Sequence, residues 1–329
     1  MPTNIQPVVL ITEPLAQTPR AWLDRHARVI EHDIIKADRA RLESSLAQAH
    51  ALIVRTYTIV DQALLDQAPN LRVVARAGVG LDNIDLNACK ARGIAVVHTP
   101  KANTHAVVEY TIAMLLRTLR PITPITPANH PINPTQWAAL RHCAITPTSC
   151  VGAKLGIIGL GSIGSALAIA ADAIGMHIFY HDIAPLAPPP LPSGRACTAM
   201  SIDELARTSE IISVHVDGRE SNDHLLSDSF FSQLKPDCIL LNTSRGFVID
   251  EHAAARFAAD NPSATLILDV HTNEPIAESS PLKNYPNVIC TPHIAAATEH
   301  AKEQMSWVVR DVIAVLNNHP PAFPATPAH

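Results

Sequence analysis

Residues 156–164 read Gly156-Ile-Ile-Gly-Leu-Gly-Ser-Ile-Gly164 and hold the spacing G-x-G-x-x-G at Gly159, Gly161 and Gly164. The apolar run at 154–158 predicts a strand entering the glycines, and 163–174 predicts a helix leaving them. Strand, tight turn and helix N-terminus together make a cradle for a pyrophosphate. Gly159 permits the turn, Gly161 lets the backbone approach the phosphates, and Gly164 lets helix and strand pack closely. Ser162 and Ile163, between the second and third glycines, are expected to contact the cofactor as well. Glycines also gather in ordinary turns, so the spacing alone is weak. A second feature strengthens it. The next apolar run, 177–180, leads into Asp182, 18 residues past the last glycine. A carboxylate there suits the adenosine ribose hydroxyls and repels a 2′-phosphate. Ile183, Ala184 and Pro185 offer no arginine to receive one, so the expected cofactor is NAD rather than NADP.

Outward from this loop the chain keeps alternating short apolar runs with helical patterns. Runs at 211–214, 238–241, 266–268 and 288–290 complete six strands with 154–158 and 177–180, enough for a dinucleotide-binding sheet. Before the loop, strands are expected at 8–11, 51–54, 71–74 and 94–97, with a shorter candidate at 29–30. Helices are expected at 39–49, 61–67, 85–92 and 104–120. This alternation predicts α/β architecture with parallel sheets covered on both faces. The glycine loop lies mid-chain, so a whole α/β unit precedes it. An apolar stripe of Met305, Val308, Val309, Val312, Ile313 and Leu316 predicts one long helix over 298–316. If that helix returns to the first unit, a Rossmann-type doubly wound domain at 101–295 is inserted in a flavodoxin-like substrate domain made of 1–100 and 296–329. Proline-rich residues 121–134, 185–192 and 320–327 read as loops or arms, the last as a disordered tail.

Composition narrows the class. The 329 residues carry a formal charge of −5 with no basic run, which argues against nucleic acid. No apolar stretch approaches about 18 residues and no leader pattern opens the chain, so neither a membrane partner nor secretion is expected. Six cysteines, scattered without C-x-x-C, read as reduced thiols of a cytoplasmic protein. Seventeen histidines show no zinc-ligand spacing, and no metal is expected.

In open α/β sheets, ligands bind beyond the carboxyl ends of the strands. Three chemistry-bearing residues follow such ends: Arg245 after the run at 238–241, Glu274 after 266–268, and His293 after 288–290. Singly, each has a bland reading as a loop cation, a helix-start acid and a packed histidine. Together, beside a dinucleotide fold, they suit hydride transfer on a 2-hydroxy or 2-keto acid. Arg245 can grip a carboxylate and polarise the C2 oxygen. His293 can move the hydroxyl proton, and Glu274 beside it would favour the imidazolium and fix its tautomer.

Through residues 156–164, 241–246, 269–275 and 291–295 the chain resembles the D-isomer-specific 2-hydroxyacid dehydrogenases, over nearly all of 8–316. The resemblance implies an NAD enzyme in which Arg245, Glu274 and His293 are catalytic and His215 and Asp269 stand with the cofactor. It also implies a homodimer through the NAD-binding domain, with 121–137 as a candidate embracing arm. Residues 54–58, 76–85 and 103–109 look most like the 3-phosphoglycerate dehydrogenases of that family, whose reaction begins serine synthesis. There the loop equivalent to Ala77, Gly78, Val79 and Gly80 offers N–H groups to the substrate carboxylate. Arg55 and Arg76 become candidates for a second anion such as a phosphate, with an interdomain structural ion as the plainer reading. Three positions depart from the family pattern: Asp217 for proline, His98 for asparagine and Lys101 for glycine. The last two weaken the phosphoglycerate assignment more than the reaction class. Glyoxylate, hydroxypyruvate or D-lactate as substrate, and an NADH-sensing corepressor-type binding protein, stay open. No appended regulatory domain is expected after Leu316.

Overall fold

In the computed structural model, described over residues 6–32, 39–122, 124–125, 132–143 and 149–325, the short apolar runs form two parallel sheets. The elements are, in order, β1 Val8–Ile11, α1 Gln17–Asp24, β2 Arg28–Glu31, α2 Arg39–Gln48, β3 Ala51–Val54, α3 Gln62–Asp66, β4 Val73–Arg76, α4 Leu86–Ala91 and β5 Ala95–His98. There follow α5 Thr104–Leu119, α6 Pro134–Cys143, β6 Lys154–Ile158, α7 Ser162–Ala173, β7 His177–His181, β8 Thr198–Ala199, α8 Ile202–Thr208 and β9 Ile211–Val214. The chain continues through α9 Asp228–Phe231, β10 Ile239–Asn242, α10 Glu251–Asp260, β11 Thr265–Leu268 and β12 Val288–Cys290, and ends with α11 Glu299–Ser306 and α12 Val309–Leu316. They form two compact units, Met1–Asn103 with Ala296–His329, and Thr104–Ala295.

The first unit orders its five strands β2-β1-β3-β4-β5, all parallel. That is the flavodoxin-like order. Its strands are buried on both faces, which is why they read as unbroken apolar runs. Val9 and Ile11 of β1 pack toward α1 and α12, while Leu10 packs on the opposite side with Leu46 and Leu65. The second unit orders its strands β12-β11-β10-β9-β6-β7-β8. Read from the other edge this is 3-2-1-4-5-6-7, the doubly wound Rossmann order with one strand added. The expected α/β class and both sheet types are therefore present. The strand beyond the six expected is β8, numbered 3 in this order, the exposed pair Thr198–Ala199 at the edge, too short and polar to leave a sequence signal.

Three expectations need correction. First, the helix expected over 298–316 is two helices. Arg310 N–H donates to Trp307 O and Asp311 N–H to Val308 O, both at 3.0 Å, and these tight i→i+3 bonds break the helix into α11 and α12. Second, α1 went unread because Pro19 lies inside it. Proline is tolerated there because the first-turn N–H groups have no helical acceptor. Likewise residues 134–137, expected in an arm, begin α6, while 123 and 126–131 of that arm lie outside the described residues.

Third, residues 320–325 are not a free tail; 326 and 327 lie outside the described residues. Val97 and Pro324 form an antiparallel bridge, with Ala325 N–H donating to Val96 O (2.7 Å) and His98 N–H to Phe323 O (3.2 Å). The segment thus covers the open edge of β5. The buried Asp311 carboxylate anchors it, accepting Ala322 N–H at 2.8 Å and Phe323 N–H at 3.0 Å. Asp311→Ala is expected to cost about 1–3 kcal/mol, the price of orphaned hydrogen-bond groups. Hydrogen exchange at the His98 and Ala325 amides should rise in this variant; unchanged protection there would show that Asp311 does not hold the segment.

Candidate active site

The switch point of the second sheet falls between β6 and β9, whose connections leave on opposite sides. The glycine turn sits at that point. Gly159 has φ +93° and lies so close to the next loop that a Cβ would stand 2.6 Å from His215 O. A Cβ on Gly164 would stand 2.1 Å from Gly159 O, so helix α7 could not approach β6 with any side chain there. Gly161 is different: a Cβ would meet nothing within 4 Å, so its outer face is open. Beside that open face the first turn of α7 begins at Ser162, with no side-chain cap on its N–H groups. Open space, uncapped donors and the positive end of a 12-residue helix fit the diphosphate of a dinucleotide.

Asp182 lies at the end of β7, half-buried. One carboxylate oxygen accepts Leu160 N–H at 2.7 Å, and the other accepts Ala184 N–H at 2.8 Å. An ionised carboxylate offers about four lone-pair sites, so two remain for a ribose. The same residue that would read the ribose therefore also ties down the glycine turn. His215, after β9, accepts from or donates to Ser213 Oγ at 2.8 Å through Nε2. Burial pushes its imidazole down to about 3, so it is neutral.

Arg245, Glu274 and His293 come from three adjacent parallel strands, β10, β11 and β12, and each sits just past the carboxyl end. Asn242 shapes the first of these turns. It is fully buried; its Oδ1 accepts Ser244 N–H and Oγ–H, and its Nδ2 donates to Arg245 O at 2.9 Å. Gly246 then lets this turn touch the next one, since a Cβ would lie 2.0 Å from the His271 carbonyl carbon. His293 Nδ1 lies 2.9 Å from Glu274 Oε2, with the two side chains 41% and 31% exposed. If Nδ1–H donates to the carboxylate, Nε2 is the atom left to face a substrate.

His293 itself has φ +54°, an uncommon conformation for a side chain of its size. A buried carboxylate holds it there. Asp269, 1% exposed, accepts Thr291 Oγ–H (2.5 Å) and Ile294 N–H (2.8 Å) on one oxygen and Ala295 N–H (2.7 Å) on the other. Asp269 O also accepts His293 N–H at 2.8 Å. Tyr110 of α5 completes the set with a 2.6 Å hydrogen bond between its hydroxyl and Thr291 Oγ. Asp269, expected beside the cofactor, thus also holds the His293 segment through three hydrogen bonds to its carboxylate. Tyr110 escaped notice because it lies 181 residues from its partner, and no local pattern connects them.

In the first unit, Ala77 N–H donates to Val54 O and Gly78 N–H to Arg76 O. Of the four residues expected to offer N–H groups, Val79 and Gly80 thus keep donors that no described protein group takes. His98 lies alongside, its Nδ1 3.0 Å from Val79 O. The C=O and N–H of a trans peptide point opposite ways, so this grip turns Gly80 N–H away from His98. Arg76 folds back over its own loop; its Nη1 occupies the place of a Gly78 Cβ, 1.3 Å away. Arg55 is half-buried and donates through Nη1 to Pro14 O (3.2 Å). Desolvation holds its guanidinium pKa below the ordinary value, partly offset by Glu13.

Of the three departures, Lys101 takes φ +70°, where a glycine would be unstrained. Asp217 binds Arg219 twice, Nε–Oδ1 at 2.7 Å and Nη2–Oδ2 at 2.5 Å, and that hydrogen bonding holds its carboxyl below the usual range.

Residues 112–295 match the family described as D-isomer specific 2-hydroxyacid dehydrogenase, NAD binding domain. The chain is 36% identical over 308 residues to the (S)-sulfolactate dehydrogenase of Chromohalobacter salexigens, covering 92% of this chain and 96% of that one. It is 35% identical over 307 residues to the D-3-phosphoglycerate dehydrogenase of Mycobacterium leprae, covering 93% of this chain but only 56% of that protein's length. The structure of D-lactate dehydrogenase from Aquifex aeolicus, complexed with NAD and lactic acid, superposes with a TM-score of 0.79 at 28% identity, over 94% of this chain and 96% of that one.

Gly246→Ala is expected to force apart the turns carrying Arg245 and Glu274. A displacement of about 1 Å at a reacting group costs on the order of 100-fold in kcat/KM. NADH binding should survive, since the glycine turn is untouched. Full activity in a folded Gly246→Ala protein would show that this close approach is not needed.

Proposed function

The chain belongs to the D-isomer specific 2-hydroxyacid dehydrogenase family, and on that premise we propose that it interconverts a D-2-hydroxy acid and its 2-keto acid with NAD. The observation that carries this reading is the His293–Glu274 pair at 2.9 Å beside the Arg245 turn, on a sheet with a dinucleotide cradle. Ser162, Ile163 and Gly164 would hold the diphosphate and Asp182 the ribose. When bound, NAD supplies a nicotinamide that accepts or returns hydride at C2. Arg245 binds the carboxylate and polarises the C2 oxygen. His293 takes the hydroxyl proton on Nε2 during oxidation and returns it during reduction. Glu274 accepts the Nδ1 proton's hydrogen bond and so fixes which nitrogen does this. A binding protein that only senses NADH would need no such pair.

The substrate is proposed to carry a second anion. Arg55, with Val79 and Gly80 N–H groups as carboxylate donors, supports this. A phosphate ester, 3-phosphoglycerate, is the leading candidate, which would place the enzyme at the start of serine synthesis in the cytoplasm. A sulfonate is the second reading, favoured because the sulfolactate relative matches along 96% of its length. No described helix is long and apolar enough to cross a membrane. Self-association fits the exposed apolar Leu116, Ile122, Trp137, Val151 and Ile169 of the second unit, and a sedimenting mass about twice that of the chain would bear this out.

Initial rates with phosphohydroxypyruvate, sulfopyruvate, glyoxylate, hydroxypyruvate and pyruvate, each with NADH and NADPH, test these points. One of the first two with NADH should give the highest kcat/KM. Equal or better turnover of the uncharged-tail acids would overturn the second-anion reading, and a preference for NADPH would overturn the role of Asp182. His293→Asn, chosen because asparagine tolerates positive φ, should lose about 100-fold or more in kcat, the scale of general acid–base catalysis. NADH affinity should be retained. A fully active variant would remove His293 from the proton transfer.

A further inference from the structure

The loop after β3, residues 55–58, directs its backbone N–H groups and the buried Thr58 side chain inward, while Thr56 and Tyr57 are exposed. Arg55 N–H and Thr56 N–H donate to Glu13 Oε1 and Oε2 at 2.9 and 2.8 Å. Tyr57 N–H and Thr58 N–H donate to Oε1 at 3.1 and 3.2 Å, and Thr58 Oγ–H adds a fifth contact at 3.2 Å. The Glu13 residue is 6% exposed and follows the end of β1 by two residues. A carboxylate is stable at that burial only when its lone pairs are filled, and here four consecutive peptide groups fill them. The carbonyls are held as well: Asn83 Nδ2 donates to Arg55 O at 3.2 Å and Thr58 O at 2.7 Å. Thr12 and Thr58 join their hydroxyls at 2.7 Å underneath. Tyr57, by contrast, is 63% exposed.

Successive N–H groups converging on one point make an anion-binding concavity. In this loop the anion is already present and belongs to the protein. We propose that Glu13, with Asn83, is a positioning residue that pre-forms loop 55–58. By occupying its backbone donors, Glu13 leaves recognition of the substrate's distal anion to side chains, Arg55 first. This rests on the second-anion reading above. It predicts a selectivity that the loop's geometry sets: a charged tail is bound through a guanidinium fork held at one place, not through backbone N–H groups.

The test compares wild type, Glu13→Gln and Asn83→Ala with a charged-tail substrate (whichever of phosphohydroxypyruvate and sulfopyruvate wild type prefers) and with pyruvate. Glu13→Gln turns an NH2 donor toward peptide donors and should release the loop. The KM for the charged-tail acid should rise at least about 10-fold. The KM for pyruvate and the Kd for NADH should stay within about 3-fold, and kcat at saturation should fall little. Asn83→Ala should move the same parameter the same way and serves if the glutamine variant does not fold. In Glu13→Ala, added formate or acetate should restore the low KM by filling the vacated carboxylate place. A wild type with equal KM for charged and uncharged acids overturns the second-anion reading and this proposal with it. A wild type that prefers the charged acid, with both variants keeping its KM, overturns the positioning role alone. Equal losses for both substrates would mark Glu13 as a general fold residue and also overturn it.

Discussion

Helix α7 meets β6 at a distance that only glycine allows, with 2.1 Å between a hypothetical Gly164 Cβ and the Gly159 carbonyl oxygen. Everything on the second unit follows from that approach. Because α7 starts hard against the strand end, its uncapped N–H groups face the switch point between β6 and β9. Because the sheet is parallel, the carboxyl ends of β10, β11 and β12 lie along one edge, and the loops that leave them start there. Arg245, Glu274 and His293 lie in these loops. Their separation in sequence is wide, yet their placement is fixed by hydrogen-bonded strand register rather than by loop packing.

Loops carrying function must be exposed, yet catalysis needs them still. This protein resolves the conflict repeatedly with a buried carboxylate beneath the backbone. Asp269 binds the N–H groups of Ile294 and Ala295 and so holds His293 at positive φ. Glu13 binds four consecutive N–H groups under Arg55. Asp311 binds Ala322 and Phe323 where the chain covers the β5 edge. Asp172, fully buried on α7, binds Ser193 N–H and Oγ–H with Arg195 in the proline-rich stretch after β7. Charge-assisted bonds to N–H are stronger than neutral ones, and each acid sits on a strand end or helix that cannot move. Rigidity is thereby lent from core elements to loops that have no core of their own.

The same arrangement explains what could be read from sequence. Strand positions, sheet type and the glycine cradle are local properties: apolar runs, and glycines at fixed spacing. They were legible to within a residue or two. The pairing of His293 with Glu274 is expected because both follow carboxyl ends of strands in one open sheet; that their strands are neighbours is visible only in the structure. The bonds from Asp269 to the His293 segment are not legible, since sequence shows a residue's place and not its lone pairs. Glu13 was invisible for the same reason; an acid after a buried strand looks like any solvated loop acid. Its donors lie more than 40 residues away. The break at Trp307–Val308 left no mark because the apolar stripe continues in phase through it. The docked segment at 322–325 was masked by prolines, which suggest disorder when in fact Pro324 needs no donor at a bridged edge.

The residues proposed to act on the substrate are held differently within each unit. The groups proposed to act at C2 belong to the second unit, where Asn242, Gly246 and Asp269 over-determine their geometry. On the proposed reading, little can change there without loss of the reaction. The groups proposed to recognise the remainder belong to the first unit, where Arg55 stands on a loop clamped by Glu13 and Asn83. Such a loop can exchange exposed side chains at positions 56, 57 and 59 without disturbing its hydrogen bonds, because those bonds use only the backbone, Thr58 and side chains beneath it. Relatives named for phosphoglycerate, sulfolactate and lactate each match more than nine-tenths of this chain. On this argument the acid that a given chain prefers is decided by what a fixed loop displays, not by how the loop is built.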